Sequence, residues 1–495
     1  LRPVIHVEQH RVHGPDGVRL AVTVVRPVTP DRLPVLVNRT PYGRHEHLAE
    51  ARAWARLGFA CVLGDVRGRF DSTGDFHPYR YEGVDGAAIL RWVHEQDFCD
   101  GRVILAGASY GAHCAITTAL ADVAPVTGLI LSVPALGYGA TAREPGGAAR
   151  LACRIGWWAE HGGARRPRRP TPRTTDLLAR VPIRSTMEWL LGTNPPGWDD
   201  LWKAGTRDPL WSELSRLDIP LLLVGGVHDP FAQQTLELAK VWRGPVRLVL
   251  GPWGHGLDSE APGRALGGRR LGALYATWTE ALCVGRLTGR RSWIAVDGQG
   301  QWRRWWPGSG VERNTRVTIE QDSFRAAPGD PFRSRRPRAD LRSDAARQDR
   351  ALFRTPPLTS GELRGALAAR LRVIADAVDA DWVLRVSAEL PGGAMPQLGH
   401  AIQRVQHVPE QPTDITLTVG PLGTVLPTGS RLRFELAGHH WPRHARNPHT
   451  GVDPVDAVDL RPSRRRLLDA TVWLPWWEQG ADAVPAAALI EEVTQ

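Results

Sequence analysis

Six short apolar runs constrain the fold of this chain more than any other feature. They are L-P-V-L-V at 33–37, F-A-C-V-L-G at 59–64, V-I-L-A-G at 103–107, G-L-I-L-S at 128–132, P-L-L-L-V-G-G at 220–226 and V-R-L-V-L-G at 246–251. Each has the length of one strand, and none alternates with polar residues. Such runs are buried on both faces of a sheet. Helical patterns lie between several of them. One covers about 46–57, where Leu48, Ala51, Trp54, Ala55 and Leu57 share a face; others fall at 82–96, at 112–121 and from about Phe231 onward. Strands alternating with helices predict an α/β domain with a mainly parallel sheet covered on both sides. Upstream, V-H-G-P-D-G-V-R-L-A-V-T-V-V-R-P predicts a hairpin that turns at Asp16-Gly17.

The pattern stops and resumes. From about 140 to 215 the chain is rich in Trp, Arg, Gly and Pro, with short helical stretches such as I-G-W-W-A-E and M-E-W-L-L. An inserted helical domain explains the interruption. After about 290 the character becomes all-β: R-S-W-I-A-V-D-G, T-R-V-T-I-E, D-W-V-L-R-V-S-A-E-L, S-R-L-R-F-E-L-A and A-T-V-W-L-P read as strands between turns. A β-sandwich or jelly roll of this size follows. The expected division is a core of 1–140 and 215–288, a helical cap of 141–214 and a β-domain of 289–495. The Arg-rich stretch from Phe324 to Arg350 is expected to be an extended surface loop.

Bulk properties exclude several function classes. No stretch reaches the roughly 18 apolar residues of a membrane span, and the opening L-R-P-V-I-H-V-E-Q-H carries no apolar signal segment. The five cysteines, Cys61, Cys99, Cys114, Cys153 and Cys283, are widely spaced, which predicts free thiols and a cytoplasmic setting. The net charge is +10, but the densest basic run, R-R-P-R-R-P at 165–170, is broken by prolines and lacks interleaved aromatics. It reads as a solvated loop, not a nucleic-acid surface. No membrane or nucleic-acid partner is expected. The sequence permits a homo-oligomer and assigns no interface.

The run V-I-L-A-G leads into Ala108-Ser109-Tyr110-Gly111, and a helix follows. A serine in G-x-S-x-G between strand and helix sits on a sharp elbow, with its hydroxyl above the end of the sheet. A serine hydroxyl needs an imidazole to take its proton and a carboxylate to orient that imidazole. In an elbow fold these follow in the order serine, acid, histidine, each just after a strand. Asp229, after L-L-L-V-G-G, and His255, after V-R-L-V-L-G, fit both order and setting. His113, four residues beyond Ser109, is expected to face elsewhere. His439, His440, His444 and His449 have no acid or cysteine at familiar ligand spacing, so no metal is expected. Nothing calls for a cofactor. Acyl chemistry also needs donors for a developing oxyanion. The backbone N–H of Tyr110 is one candidate. Tyr42, in the loop R-T-P-Y-G-R, is the other, with simple packing as its alternative role.

These motifs resemble those of the CocE/NonD serine hydrolases, a family of ester hydrolases and X-Pro dipeptidyl-peptidases. The resemblance rests on R-T-P-Y-G-R at 39–44, D-V-R-G-R-F-D-S-T-G-D-F at 65–76, E-G-V-D-G-A-A-I-L-R-W-V at 82–93, G-A-S-Y-G at 107–111, G-V-H-D-P-F at 226–231, G-P-W-G-H at 251–255, V-D-A-D-W-V-L-R-V at 378–386 and P-R-H-A-R-N-P-H-T-G at 442–451. It implies an α/β-hydrolase core with a helical cap and a C-terminal jelly roll. It implies Ser109, Asp229 and His255 as the triad, with Tyr42 and the Tyr110 N–H as the oxyanion hole. One departure is His228, where the family has an aromatic residue before the acid. Trp157, Trp158 and Trp189 of the cap, with His228, are candidate pocket residues. The implied activity is hydrolysis of an ester or amide of a small acyl or aminoacyl substrate, or of a short peptide. A dipeptidyl-peptidase would need a carboxylate cluster for a free amine, with Glu160, Glu188, Asp199 and Asp200 as candidates. An acyltransferase would use the same machinery, and an intact catalytic set argues against a purely binding role.

Overall fold

The computed structural model describes residues 3–170, 174–203, 205, 209–259, 261–297, 300–344 and 346–495. Its largest unit is an 11-stranded sheet. The six apolar runs lie at its centre, as strands Leu33–Thr40, Ala60–Asp65, Cys99–Ala108, Gly128–Ser132, Leu221–Gly226 and Val246–Gly251, all paired in parallel. Successive residues feed opposite cores. Val35 and Val37 enter one while Leu36 enters the other; Val103 and Leu105 are set against Ile104 in the same way, as are Leu129 and Leu131 against Ile130. That is why these runs carry no polar alternation. Helices Glu82–His94, Tyr110–Leu120 and Ala232–Val241 cover one face, and Leu48–Arg56 and Leu271–Cys283 the other. The hairpin Ile5–His13 with Arg19–Pro27 extends one edge, turning through Asp16 at φ 61°.

The other edge departs from expectation. Strand Arg290–Ala295, placed by its sequence in the β-domain, pairs in parallel with Val246–Gly251 and completes the hydrolase sheet. Strands Trp302–Arg304 and Ala483–Val484 follow it, and the C-terminal helix Leu489–Glu492 packs into the same core. Trp293 and Trp302, both buried here, are the reason: their rings fill the sheet face beneath helix Leu271–Cys283. The cap also ends earlier than expected. Leu210, Trp211, Leu214 and Leu217 join the core of the sheet, while the cap's own cluster runs from Ala142 to Trp202.

The β-domain consists of two five-stranded sheets. Strands Gly361–Ala375, Thr413–Leu426 and Ser463–Trp477 lie in one, and Asp379–Glu389, Gln397–Gln406 and Arg431–Ala437 in the other. Their inward residues form one apolar core around Trp382, Phe353 and Phe434. The Arg-rich stretch 324–350 is only partly a surface loop. It begins in strand Ser323–Ala326 and is pinned by buried Phe332 and by Asp344, which pairs with Arg335 at 2.5 Å and Arg385 at 2.9 Å. All five cysteines are free. Among the described residues no helix is long and apolar enough to cross a membrane.

Candidate active site

All the loops that matter leave the sheet at the carboxyl ends of parallel strands. Ser109 follows strand Cys99–Ala108 and begins helix Tyr110–Leu120. Its backbone is at φ 54°, ψ −117°, a strained conformation for a residue with a side chain, costing about 1–3 kcal/mol. Hydrogen bonds hold it there: Ser109 N–H donates to the Ser132 carbonyl at 2.9 Å, and its own carbonyl accepts from Ala112 and Ala135. The elbow needs the preceding glycine, because a Cβ on Gly107 would lie 2.1 Å from the Gly111 carbonyl oxygen.

The acid and base arrive from two adjacent loops. A Cβ on Gly226 would lie 2.0 Å from the Trp253 carbonyl, so the loops press together. Val227 N–H donates to the Gly251 carbonyl at 2.9 Å, and His228 N–H to that of Trp253 at 3.0 Å. The result is a continuous chain. His255 Nδ1–H donates to Asp229 Oδ1 at 2.7 Å, and Ser109 Oγ–H donates to His255 Nε2 at 2.9 Å. The Asp229 side chain is fully buried, while the imidazole is partly open to solvent. A buried carboxylate fixes the tautomer and favours the imidazolium; an open imidazole can exchange its proton with substrate.

Tyr42 stands on the other side of Ser109. Its hydroxyl accepts a hydrogen bond from Trp157 Nε1–H at 3.1 Å, so its own hydrogen is left for another acceptor. Burial raises the phenol's pKa, with hydrogen bonding from Trp157 and Ser109 pulling the other way. The group stays a protonated donor. Tyr110 is the first residue of its helix, so its backbone N–H has no intrahelical acceptor and lies at the positive end of the helix dipole. Its side chain has a different task. The hydroxyl donates to buried Glu82 and accepts from the Tyr79 N–H at 2.8 Å, locking the Tyr79 loop and the E-G-V-D-G segment behind the elbow. His113 is buried against Tyr79 and Tyr110, and burial, with Arg39 nearby, pushes its pKa down to about 3. It is neutral and unable to serve as the base.

Of the four expected pocket residues, the structure brings Trp157 to the nucleophile. It stacks on Tyr110 with ring centres 6.1 Å apart and touches Tyr42. Trp158 instead packs behind it against Tyr138 and Trp198, in the core of the cap. Trp189 is 55% exposed and covered by Arg180, on the cap's outer side. In a short helix, consecutive tryptophans cannot share a face, and the sequence does not say which one points inward. His228 lines a cavity of about 210 Å³ behind the acid loop, bounded also by Glu144, His400 and Arg443. Burial and Arg338 hold its pKa near 4.

Other residues of the site escaped the sequence reading. Phe231 stands edge-on to His255, ring centres 5.4 Å apart. His161 lies edge-on to Tyr42 at 5.2 Å. Arg69, of D-V-R-G-R-F, donates to the carbonyls of Pro41, His161 and Ala164, tying the Tyr42 loop to the cap. The β-domain holds the cap from the other side. The Pro442 carbonyl accepts from Ala152 N–H, the first residue of cap helix Ala152–His161, and the Arg443 carbonyl from Leu151 N–H just before it. Asn447 of the same segment bonds Asp379 and Asp381 of the D-A-D-W run. The two β-domain motifs therefore meet and position the cap helix.

The histidines at 439–449 also differ from expectation in one respect. An acid does join them: His444 Nε2–H donates to Glu144 Oε1 at 2.8 Å, from 300 residues away. Side-chain nitrogens of His400, His440 and His444 lie within 4.8 Å of one another. Arg150 and Arg443 act on the same cluster, a charge balance that disfavours a dication.

Comparison with known proteins agrees with this fold. Residues 16–257 match the X-Pro dipeptidyl-peptidase (S15 family) model, and 273–471 match the X-Pro dipeptidyl-peptidase C-terminal non-catalytic domain. The chain is 27% identical over 531 residues to cocaine esterase of Rhodococcus sp. (strain MB1 Bresler), covering 88% of this chain and 91% of that one. An aminopeptidase from a marine sediment Thaumarchaeota archaeon shares the fold with a TM-score of 0.82 at 19% identity, over 95% of this chain and 96% of that one. An α-amino acid ester hydrolase does so with a TM-score of 0.80 at 19% identity, over 96% and 97%. The chain belongs to the CocE/NonD family and is a serine hydrolase.

Proposed function

We propose that Ser109, His255 and Asp229 act as the catalytic triad of an esterase that forms an acyl-enzyme on Ser109. The observation that carries this is the unbroken Ser109–His255–Asp229 hydrogen-bond chain, with Tyr42 across the same hydroxyl. His255 takes the Ser109 proton as the hydroxyl attacks the carbonyl carbon. The tetrahedral oxyanion is held by the Tyr42 hydroxyl and the Tyr110 backbone N–H. His255 then returns the proton to the departing alcohol. Water, deprotonated by the same imidazole, releases the acid and restores Ser109.

Esters are favoured over N-terminal peptides for a specific reason. The four acids proposed for amine recognition are not gathered. Glu160 lies 3.6 Å from His161, Asp199 pairs with Arg184, Asp200 faces His77 and Glu188 is exposed. A small-molecule substrate fits this arrangement better than a peptide with a free amine. The free thiols support a cytoplasmic setting. The test is labelling by a fluorophosphonate together with turnover of p-nitrophenyl butyrate and of aminoacyl-p-nitroanilides. The reading expects labelling at Ser109, and ester turnover well above that of the anilides. Labelling that persists in Ser109→Ala, or anilide turnover exceeding that of the ester, would overturn it.

A further inference from the structure

Arg154 takes no part in the acyl-transfer chemistry, yet it lies against the groups that perform it. Helix Ala152–His161 carries Arg154, Trp157 and His161 at spacings of three and seven, on one face. Trp157 and His161 both meet Tyr42. At the start of that face, the Arg154 guanidinium is 6.0 Å from the centre of the Phe231 ring, whose edge meets His255. The arginine thus lies between the Tyr42 side and the His255 side of Ser109.

Its environment is unusual for a buried cation. Arg154 is only 8% exposed, and its Nε is buried without an acceptor. Among the described residues no carboxylate pairs with it. The Cys153 thiol hydrogen-bonds to it, and Arg154, with Arg150, draws that thiol below its ordinary range against the effect of burial; Tyr79 and Tyr42 also act on the guanidinium, and burial keeps both phenols protonated. Neighbouring buried arginines are provided for differently. Arg150 pairs with Glu144 at 2.8 Å and donates to the Pro230 carbonyl; Arg67 pairs with Asp85 at 2.6 Å. A thiol beside the guanidinium is a poorer partner than a carboxylate, because it offers one weak acceptor where a carboxylate offers two strong ones. A ligand that brings a carboxylate supplies the better partner through a charge-assisted, fork-shaped pair.

We propose that Arg154 binds a carboxylate on the acyl part of the substrate, so that the enzyme acts on half-esters of short dicarboxylic acids. This rests on Ser109 as nucleophile. The acyl carbonyl sits between Ser109 Oγ and the oxyanion donors, and the far carboxylate reaches the guanidinium beneath Trp157. The remaining chemistry is unchanged: the ester C–O bond breaks, alcohol leaves with the proton from His255, and water supplies the oxygen of the second carboxylate.

The test compares matched pairs in a pH-stat: monoethyl succinate, glutarate and adipate against ethyl butyrate, pentanoate and hexanoate. For at least one chain length the charged half-ester is expected to have kcat/KM at least about 10-fold above its neutral twin. Arg154→Met is expected to lower that ratio by roughly 30-fold, the scale of one charged hydrogen-bonded pair. Arg154→Lys should restore part of it, and Cys153→Ser should leave it in place. If Arg154→Met does not fold, the wild-type enzyme still decides: glutarate should protect Ser109 from the fluorophosphonate more strongly than pentanamide does. Neutral esters preferred at every length, a ratio untouched by Arg154→Met, or equal protection would each overturn the proposal while leaving the hydrolase reading intact. Failure of every ester, charged or neutral, and of the label, would overturn both.

Discussion

The sheet edge and the cap helix supply the two halves of the site, and they are built in different ways. At the sheet edge, Ser109, Asp229 and His255 each sit within four residues of a strand end, on loops pinned by backbone hydrogen bonds and by glycines with no room for a side chain. Across from them, Arg154, Trp157 and His161 ride on one ten-residue helix. That helix is placed by distant segments: Arg69 from the core and the Pro442–Arg443 carbonyls from the β-domain. The difference assigns tasks. Groups whose positions must hold to a fraction of an ångström come from the rigid sheet. The groups proposed to choose the substrate come from an element held by contacts from outside the sheet, which can change without disturbing it.

Four substitutions test this division, from the largest effect to the smallest. Ser109→Ala should lower kcat by about 10⁴-fold or more with the fold retained, read by p-nitrophenyl butyrate hydrolysis and circular dichroism. Tyr42→Phe removes one oxyanion donor and should cost about 10²–10³-fold in kcat with little change in KM. Trp157→Phe removes only the N–H that orients the Tyr42 hydroxyl, and should lower kcat by about 3–10-fold. An effect as large as that of Tyr42→Phe would place the cap within the rate-determining machinery and break the comparison.

The smallest effect on activity is expected from His113→Leu. The buried imidazole has its pKa pushed down from 6.5 to about 3, so between these values the unfolded chain binds a proton that the folded chain refuses. Stability therefore falls as pH drops through this window. Removing the imidazole should flatten the acid limb of a Tm–pH profile by up to one proton while kcat at neutral pH stays within about 2-fold, since neither ring nitrogen has a partner to lose.

Much of the core was legible for a physical reason. A parallel strand buried on both faces must be apolar throughout, so the six runs could be read directly, and G-A-S-Y-G could be placed between strand and helix. Asp229 and His255 followed from the order of the strands. Strand Arg290–Ala295 misled, because the short run R-R-S-W-I-A does not itself say whether its partner is Val246–Gly251 or a strand of the β-domain. The tryptophans misled because composition names a ring and not its direction; only the turn of helix Ala152–His161 sends Trp157 to Tyr42 and Trp158 into the cap core.

The sequence by itself placed a serine, an acid and a histidine on strand-end loops, and such loops keep their ends together wherever the sheet goes. It also determined the parallel core, through burial on both faces. Only the tertiary structure decided what faces the nucleophile. Long-range contacts among core, cap and β-domain set His161 against Tyr42, Phe231 against His255 and Arg154 against Phe231, and nothing in the local sequence of the two cap residues marks them. An arginine in a helix looks the same whether it is solvated, paired with an acid or buried beside a thiol. Its burial, with no carboxylate among the described residues to pair with it, is a property of the folded chain alone.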